Sequence, residues 1–194
     1  MLFYVSRFLS ILILKTVFRL KVYGQENIPK TGGFILASNH VSYIDPLAVG
    51  SACSRPVNFM ARHDLFCVPV LGWWMSHVHA FPVKRNSADI SALKEAIRRL
   101  RDGKGLVLFP EGSRGFEGRL YEPQAGIGFI AEKSNVPVVP AFISGSERAL
   151  PKGAKFIRPH KITVRFGKQI TLGRRLPYQE IAELIMANIK DLSC

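Results

Sequence analysis

Three short apolar runs constrain the fold of this chain most: Phe34-Ile35-Leu36-Ala37, Leu106-Val107-Leu108-Phe109, and Val136 to Ile143. Uncharged runs of this length, bounded by turn residues such as Gly32-Gly33 and Gly105, read as buried strands. Further strands are expected at Val57–Ala61, at residues 79–83 and at Ile162–Phe166. Helical spacing falls between them. Ile90, Leu93, Ile97 and Leu100 share one face, Lys94, Arg98, Arg99 and Arg101 face away, Ser87 is placed to cap and Gly103 to stop. A last helix carries Ile181, Leu184, Ile185 and Ile189. Short strands alternating with helices predict an α/β fold: a single layered domain with a central, mostly parallel or mixed sheet flanked by helices. In such sheets ligands gather where strands end, which is where "SNHVSYID" and "PEGSR" lie.

A chain of 194 residues is long enough to bury roughly 70% of its unfolded surface in one core. It needs no covalent staples: Cys53, Cys67 and Cys194 are odd in number and irregularly spaced, as thiols of a reducing compartment are. No repeat or linker divides it. Lys and Arg number 27 against 14 acids, a net charge of +13 that attracts anionic lipid, nucleic acid or phosphorylated substrates. Between Arg148 and Arg175 there is no Asp or Glu at all.

Residues 1–23 also lack acids, and Arg7, Lys15, Arg19 and Lys21 interrupt them. A spanning helix needs about 20 mostly apolar residues, which these charges deny; bases placed after the apolar stretch also argue against a secretory signal. As a helix, the segment gathers Arg7, Lys15 and Arg19 on one arc and leaves Phe3, Leu9, Leu12, Ile13, Val17 and Leu20 around the rest. It is expected to lie in a membrane interface with its bases at headgroup level, the alternative being a helix packed on the domain. Residues 1–23 are thus expected as an amphipathic membrane-interface helix and 24–194 as a single domain. Of Trp73 and Trp74, one is expected at such an interface and one in the core.

His40 leaves the first apolar strand and Asp45 follows five residues later, directly before Pro46. Asp before Pro is a common helix start, so capping accounts for Asp45 and a turn for His40. The chemical reading is a near-neutral base beside an alcohol, with a carboxylate fixing its tautomer. The pair meets only if the chain turns between them. In "FPEGSR", Glu111 and Arg114 bracket Gly112-Ser113; glycine permits close approach, and the Arg fork suits phosphate, although a surface ion pair accounts equally for the two charges. "FPVKR" supplies Arg85 and Lys84 to the same anion. His77, His79 and Cys67 lack a third ligand of zinc-like spacing, so no metal is expected.

In this order these blocks resemble the glycerolipid acyltransferase family, which includes the 1-acylglycerol-3-phosphate O-acyltransferases. "NHVSYID" is similar to its N-H-x-x-x-x-D block, "AFPVKR" to its second block, "FPEGSR" to its F-P-E-G-[ST]-R block and "VPVVPAFI" to its fourth. The resemblance covers roughly residues 22 to 150. It implies that His40 is the general base on an acceptor hydroxyl and that Asp45 orients it. It further implies that Arg85, Arg114 and the Glu111–Ser113 block, with Lys84, bind the acceptor, and that the fourth block serves donor binding or the core. The implied reaction moves an acyl group from acyl-CoA or acyl carrier protein to 1-acylglycerol 3-phosphate, giving phosphatidate, with no cofactor and no covalent intermediate. Glycerol 3-phosphate, another lysophospholipid or a lyso-aminolipid remain alternative acceptors. Gly115 stands where the family often has Ser, and Gln124 where Lys is frequent. The implied site of action is the cytoplasmic face of a membrane, as a peripheral or monotopic protein on an anionic surface. From outside this class, a non-catalytic basic module for nucleic acid or membrane fits the charge alone; no RNA-binding aromatic motif stands out, so no nucleic-acid partner is expected.

Overall fold

Among the described residues seven strands form one sheet: β1 (Lys21–Tyr23), β2 (Phe34–Ser38), β3 (Val57–Arg62), β4 (Ala80–Val83), β5 (Gly105–Leu108), β6 (Val138–Ser144) and β7 (Thr163–Phe166). Their order is β1-β7-β6-β2-β5-β3-β4, and every neighbouring pair is parallel except β6 with β7. The computed structural model describes residues 2–84, 89–112, 121–151, 153–154, 156–172 and 176–193.

β2 is central and wholly buried, as its uninterrupted apolar composition requires. Its side chains alternate between two cores. Phe34 and Leu36 face one, with Leu14, Phe18, Ala48, Val49, Val107, Val139 and Val164. Ile35 and Ala37 face the other, with Ala96, Leu100, Leu106, Ile127, Ile130, Ile181, Ile185 and Ile189. The first core is covered by helices α1 (Leu2–Thr16) and α2 (Asp45–Ala52); α3 (His63–Phe66) and α4 (Pro69–His77) pack near the β3–β4 edge. The second core is covered by α5 (Ile90–Arg101), α6 (Ala125–Ser134) and α8 (Tyr178–Asp191); the short α7 (Ser146–Ala149) follows β6.

Several expectations change in detail. The N-terminal helix stops at Thr16 and not at residue 23; Lys21–Tyr23 instead pairs with β7 as an edge strand, because the chain after Phe18 is drawn in by Ile162. Arg7 does not sit with Lys15 at an outer face. Its Nη2 donates to the Cys53 carbonyl at 2.5 Å, closing the C-terminal end of α2. The outward face of α1 is apolar: Tyr4, Val5, Phe8, Leu9, Leu12 and Ile13 are all exposed, as are Val70 and Trp73 on α4. Trp74 is partly buried and donates from Nε1 to Ser6 Oγ at 3.1 Å, tying α4 to α1.

The cap of α5 is Asp89, which accepts from Ala92 N; Ser87 lies outside the described residues. The Ser91 hydroxyl and the Lys84 and Ala92 amides donate to Asp89 and hold its carboxyl down at about 2. The buried face of α5 is Ala92, Ala96 and Leu100, while Ile90 is exposed. Arg99 does not face away. Its guanidinium lies 4.5 Å from the Phe81 ring centre, and Nη1 donates to Asn58 Oδ1 at 2.7 Å and to the His79 carbonyl at 3.0 Å. Asn58 is buried, so Arg99→Ala leaves its oxygen without that donor and is expected to lower unfolding free energy by about 1–3 kcal/mol. A fall in Tm with unchanged turnover per folded molecule checks this.

Candidate active site

Adjacent parallel strands β2 and β5 send their following helices to opposite faces of the sheet: α2 onto the Phe34–Leu36 side and α6 onto the Ile35–Ala37 side. A crevice opens at such a reversal, beyond the strands' C-terminal ends. The two turns that border it are Asn39–Ile44 after β2 and Phe109–Gly112 after β5. Sheet topology therefore brings together two motifs some seventy residues apart in the chain, His40 and Glu111 being separated by 71.

The first turn is held by its own side chains. Asn39 is buried and pairs with the backbone of Ile143 as a peptide would: its Nδ2 donates to the Ile143 carbonyl at 3.0 Å and its Oδ1 accepts from Ile143 N at 2.7 Å. The β2–β6 ladder is thereby extended one step through a side chain, up to the residue before His40. Ser42 Oγ donates to the Leu150 carbonyl at 2.9 Å and accepts from Ile44 N at 3.3 Å.

Asp45 is at the first position of α2, with Ile44 as the capping residue, so its carboxylate is not an N-cap as expected. It reaches back over the turn. Its Oδ2 accepts from Val41 N at 2.6 Å and Ser42 N at 2.7 Å, and lies 2.9 Å from His40 Nδ1. A carboxylate oxygen holding two amide protons is an acceptor, so the hydrogen on Nδ1 points to it and Nε2 carries the free lone pair. Asp45 is fully buried, and among the described residues its Oδ1 has no hydrogen-bond partner. The His40 side chain is 14% exposed and stacks on Phe109, ring centres 4.1 Å apart at 23°. The ring is thus fixed by Asp45 at one atom and by Phe109 over one face.

Glu111 binds the fold itself. It is buried, and instead of facing an acceptor it spends both oxygens on backbone: Oε1 accepts from His40 N at 2.9 Å, and Oε2 from Tyr121 N at 3.1 Å. Burial pushes its carboxyl up, against the two amide donors that favour the charged form. Gly112 has φ 63°, a conformation that favours glycine; a Cβ there would meet only the terminal amide of Gln124, at 2.7 Å, which can turn aside. Its N–H donates to the Phe109 carbonyl at 3.0 Å, which commits that amide to the turn.

Histidine, aspartate, Glu111 and Gly112 are thus brought together. Lys84 is not: it is exposed just past β4, three strand positions from β2 and so about 14 Å away across the sheet. Arg85, Ser113 and Arg114 lie outside the described residues. Among those that are described, no group of three or more His, Cys, Asp or Glu side chains is arranged to hold a metal. Phe109 and Asn39 are the additions. The first had no signal beyond its place in "FPEGSR"; the second was visible only as the residue before His40.

A family model described as Acyltransferase matches residues 19–144. The chain is 32% identical over 146 residues to a chloroplastic 1-acyl-sn-glycerol-3-phosphate acyltransferase of Brassica napus, covering 74% of this chain and 42% of that protein. It is 28% identical over 179 residues to the 1-acyl-sn-glycerol-3-phosphate acyltransferase of Bacillus subtilis, covering 89% and 87%. The chain therefore spans about two fifths of the plant relative and most of the bacterial one. In architecture it is similar to the crystal structure of PlsC, the 1-acyl-sn-glycerophosphate acyltransferase from Thermotoga maritima, with TM-score 0.82 and 24% identity over 99% of this chain and 80% of that one. The matched region holds both turns that border the crevice, and with it the chain belongs to the acyltransferase family.

Proposed function

We propose that this chain acylates 1-acylglycerol 3-phosphate, taking the acyl group from acyl-CoA or acyl carrier protein and releasing phosphatidate and the free thiol. The observation that carries the reading is the His40–Asp45 contact, which leaves Nε2 as a base in a shallowly exposed position at the crevice. In this reading Nε2 takes the proton of the acceptor hydroxyl as its oxygen attacks the thioester carbonyl. The tetrahedral species then expels the thiolate, which recovers the proton from the imidazolium. Asp45 stabilises that transient charge and no acyl-enzyme forms. Arg85 and Arg114 are assigned to the acceptor phosphate on the family motifs alone, and no cofactor or metal is required. The names of the relatives support the acceptor; the donor rests on the chemistry of the thioester.

The acceptor's acyl tail resides in a bilayer, and we place the protein on an anionic membrane surface at its cytoplasmic face. Among the described residues no helix is long and apolar enough to cross a membrane. Support for peripheral binding is the outward apolar stripe of α1 with Trp73 and Val70 of α4 beside it, flanked by exposed Lys15 and Arg19. Purified protein supplied with each donor and a panel of lysophosphatidate, glycerol 3-phosphate and lysophospholipids with larger headgroups tests the reading. Phosphatidate is the expected product; turnover of none of these acceptors with either donor would overturn it.

A further inference from the structure

Between α7 and β7 two large apolar side chains are turned to solvent: Phe156 is 79% and Ile157 59% exposed. The topology decides where they are. β6 runs parallel to β2, so Ser144 lies at the same end of the sheet as His40; β7 runs antiparallel to β6, with Thr163 beside Ser144. Both ends of the connection are therefore at the active-site end. One end is tied to the catalytic turn by Ser42 Oγ on the Leu150 carbonyl, and Arg158 N donates to the Ala149 carbonyl at 2.8 Å. The other is tied to the chain leaving α1: Ile162 N donates to the Phe18 carbonyl at 2.9 Å and Lys21 N to the Ile162 carbonyl at 3.0 Å.

The electrostatics match one kind of partner. Phe156 and Ile157 fall inside the acid-free run from Arg148 to Arg175, and Arg148, Arg158 and Lys161, at the same end of the sheet, are exposed. Apolar tips with cations around them are stable where tails insert and headgroups are negative. We propose that Phe156 and Ile157 form a second contact with an anionic bilayer, beside α1, that holds the mouth of the His40 crevice against the lipid surface. This rests on the membrane-surface reading above. An acidic carrier protein would complement the same charge, but the tie to Phe18 makes the segment continuous with the apolar helix, which favours the bilayer.

The test uses the full chain in a Cys67→Ser, Cys194→Ser background; Cys53 is buried and stays. An environment-sensitive fluorophore is attached at Phe156→Cys or, separately, at Phe8→Cys, and phosphatidylglycerol–phosphatidylcholine vesicles are added. Both labels are expected to shift to the blue and to become shielded from an aqueous quencher. In parallel, Phe156→Ser with Ile157→Ser is expected to slow acylation of vesicle-borne lysophosphatidate by about tenfold, from the lost apolar burial, and to leave a monomeric short-chain acceptor unaffected. An unresponsive label at position 156 beside a responsive one at position 8 overturns this inference and leaves the membrane reading standing. Silence at both overturns the two together. Equal loss on the soluble acceptor, or loss only with carrier protein as donor, overturns the second contact alone.

Discussion

His40→Ala is expected to lower kcat by about 10³-fold, the range that a positioned general base supplies, with KM for the acceptor and Tm little changed. The small effect on Tm follows from the geometry: among the described residues the imidazole makes one hydrogen bond and one stacking contact, while Asp45 retains its bonds to Val41 N and Ser42 N. Asp45→Asn should cost activity too, by another route. An amide offers Oδ1 or Nδ2 to a position where three donors converge, so the His40 tautomer is no longer fixed, and the buried turn is destabilised. Asn therefore lowers Tm where Ala at His40 does not. Steady-state kinetics on both variants, with thermal unfolding alongside, check the pair; full activity in His40→Ala would remove the base from the mechanism.

The parts legible from sequence share a physical cause. β2, β5 and β6 are announced by apolar runs because both of their faces are covered, and composition then speaks without periodicity. Where apolar side chains are turned to solvent the signal fails. α4 carries Val70, Leu71 and Trp73 outward, so "PVLGWWMSH" shows no helical stripe. α6 is obscured by two glycines, one of which is there for packing: a Cβ on Gly128 would lie 1.9 Å from the Tyr178 carbonyl of α8. β1 has three residues and gains its place from pairing with β7.

The site divides along the same line. His40 and Asp45 are readable because their chemistry and their contact are local, within one turn. Asn39 and Glu111 act on backbone groups 104 and 71 residues away, and a residue type says nothing of a partner peptide that only the sheet brings near. The resemblance assigns Glu111 to the acceptor block; in the fold its two oxygens accept from backbone and brace the turn that carries His40.

That distinction has a measurable consequence at Glu111, the second large effect. Glu111→Ala removes the acceptors of His40 N and Tyr121 N and leaves two amide donors with no carboxylate. The base then loses the support of its own peptide, and a displacement on the order of 1 Å costs about 10²-fold in rate. The loss should fall on kcat with KM for the acceptor nearly unchanged, since a group turned to backbone binds no substrate; a rise in KM with kcat preserved would return Glu111 to the acceptor site. Glu111→Gln, which keeps one oxygen, should recover part of the rate. The pH dependence gives an independent sign. Burial raises the folded-state pKa of Glu111 above the ordinary value of about 4.3, so the folded protein holds that proton more tightly than the unfolded chain. Its contribution to stability is then fullest below about pH 4.3 and is lost as pH rises through the raised value. Measured by denaturant unfolding, the stability of wild type relative to Glu111→Gln should decline across that window and level off above it; a difference that grows with pH would mean the two amide bonds outweigh burial and that the carboxyl is held down.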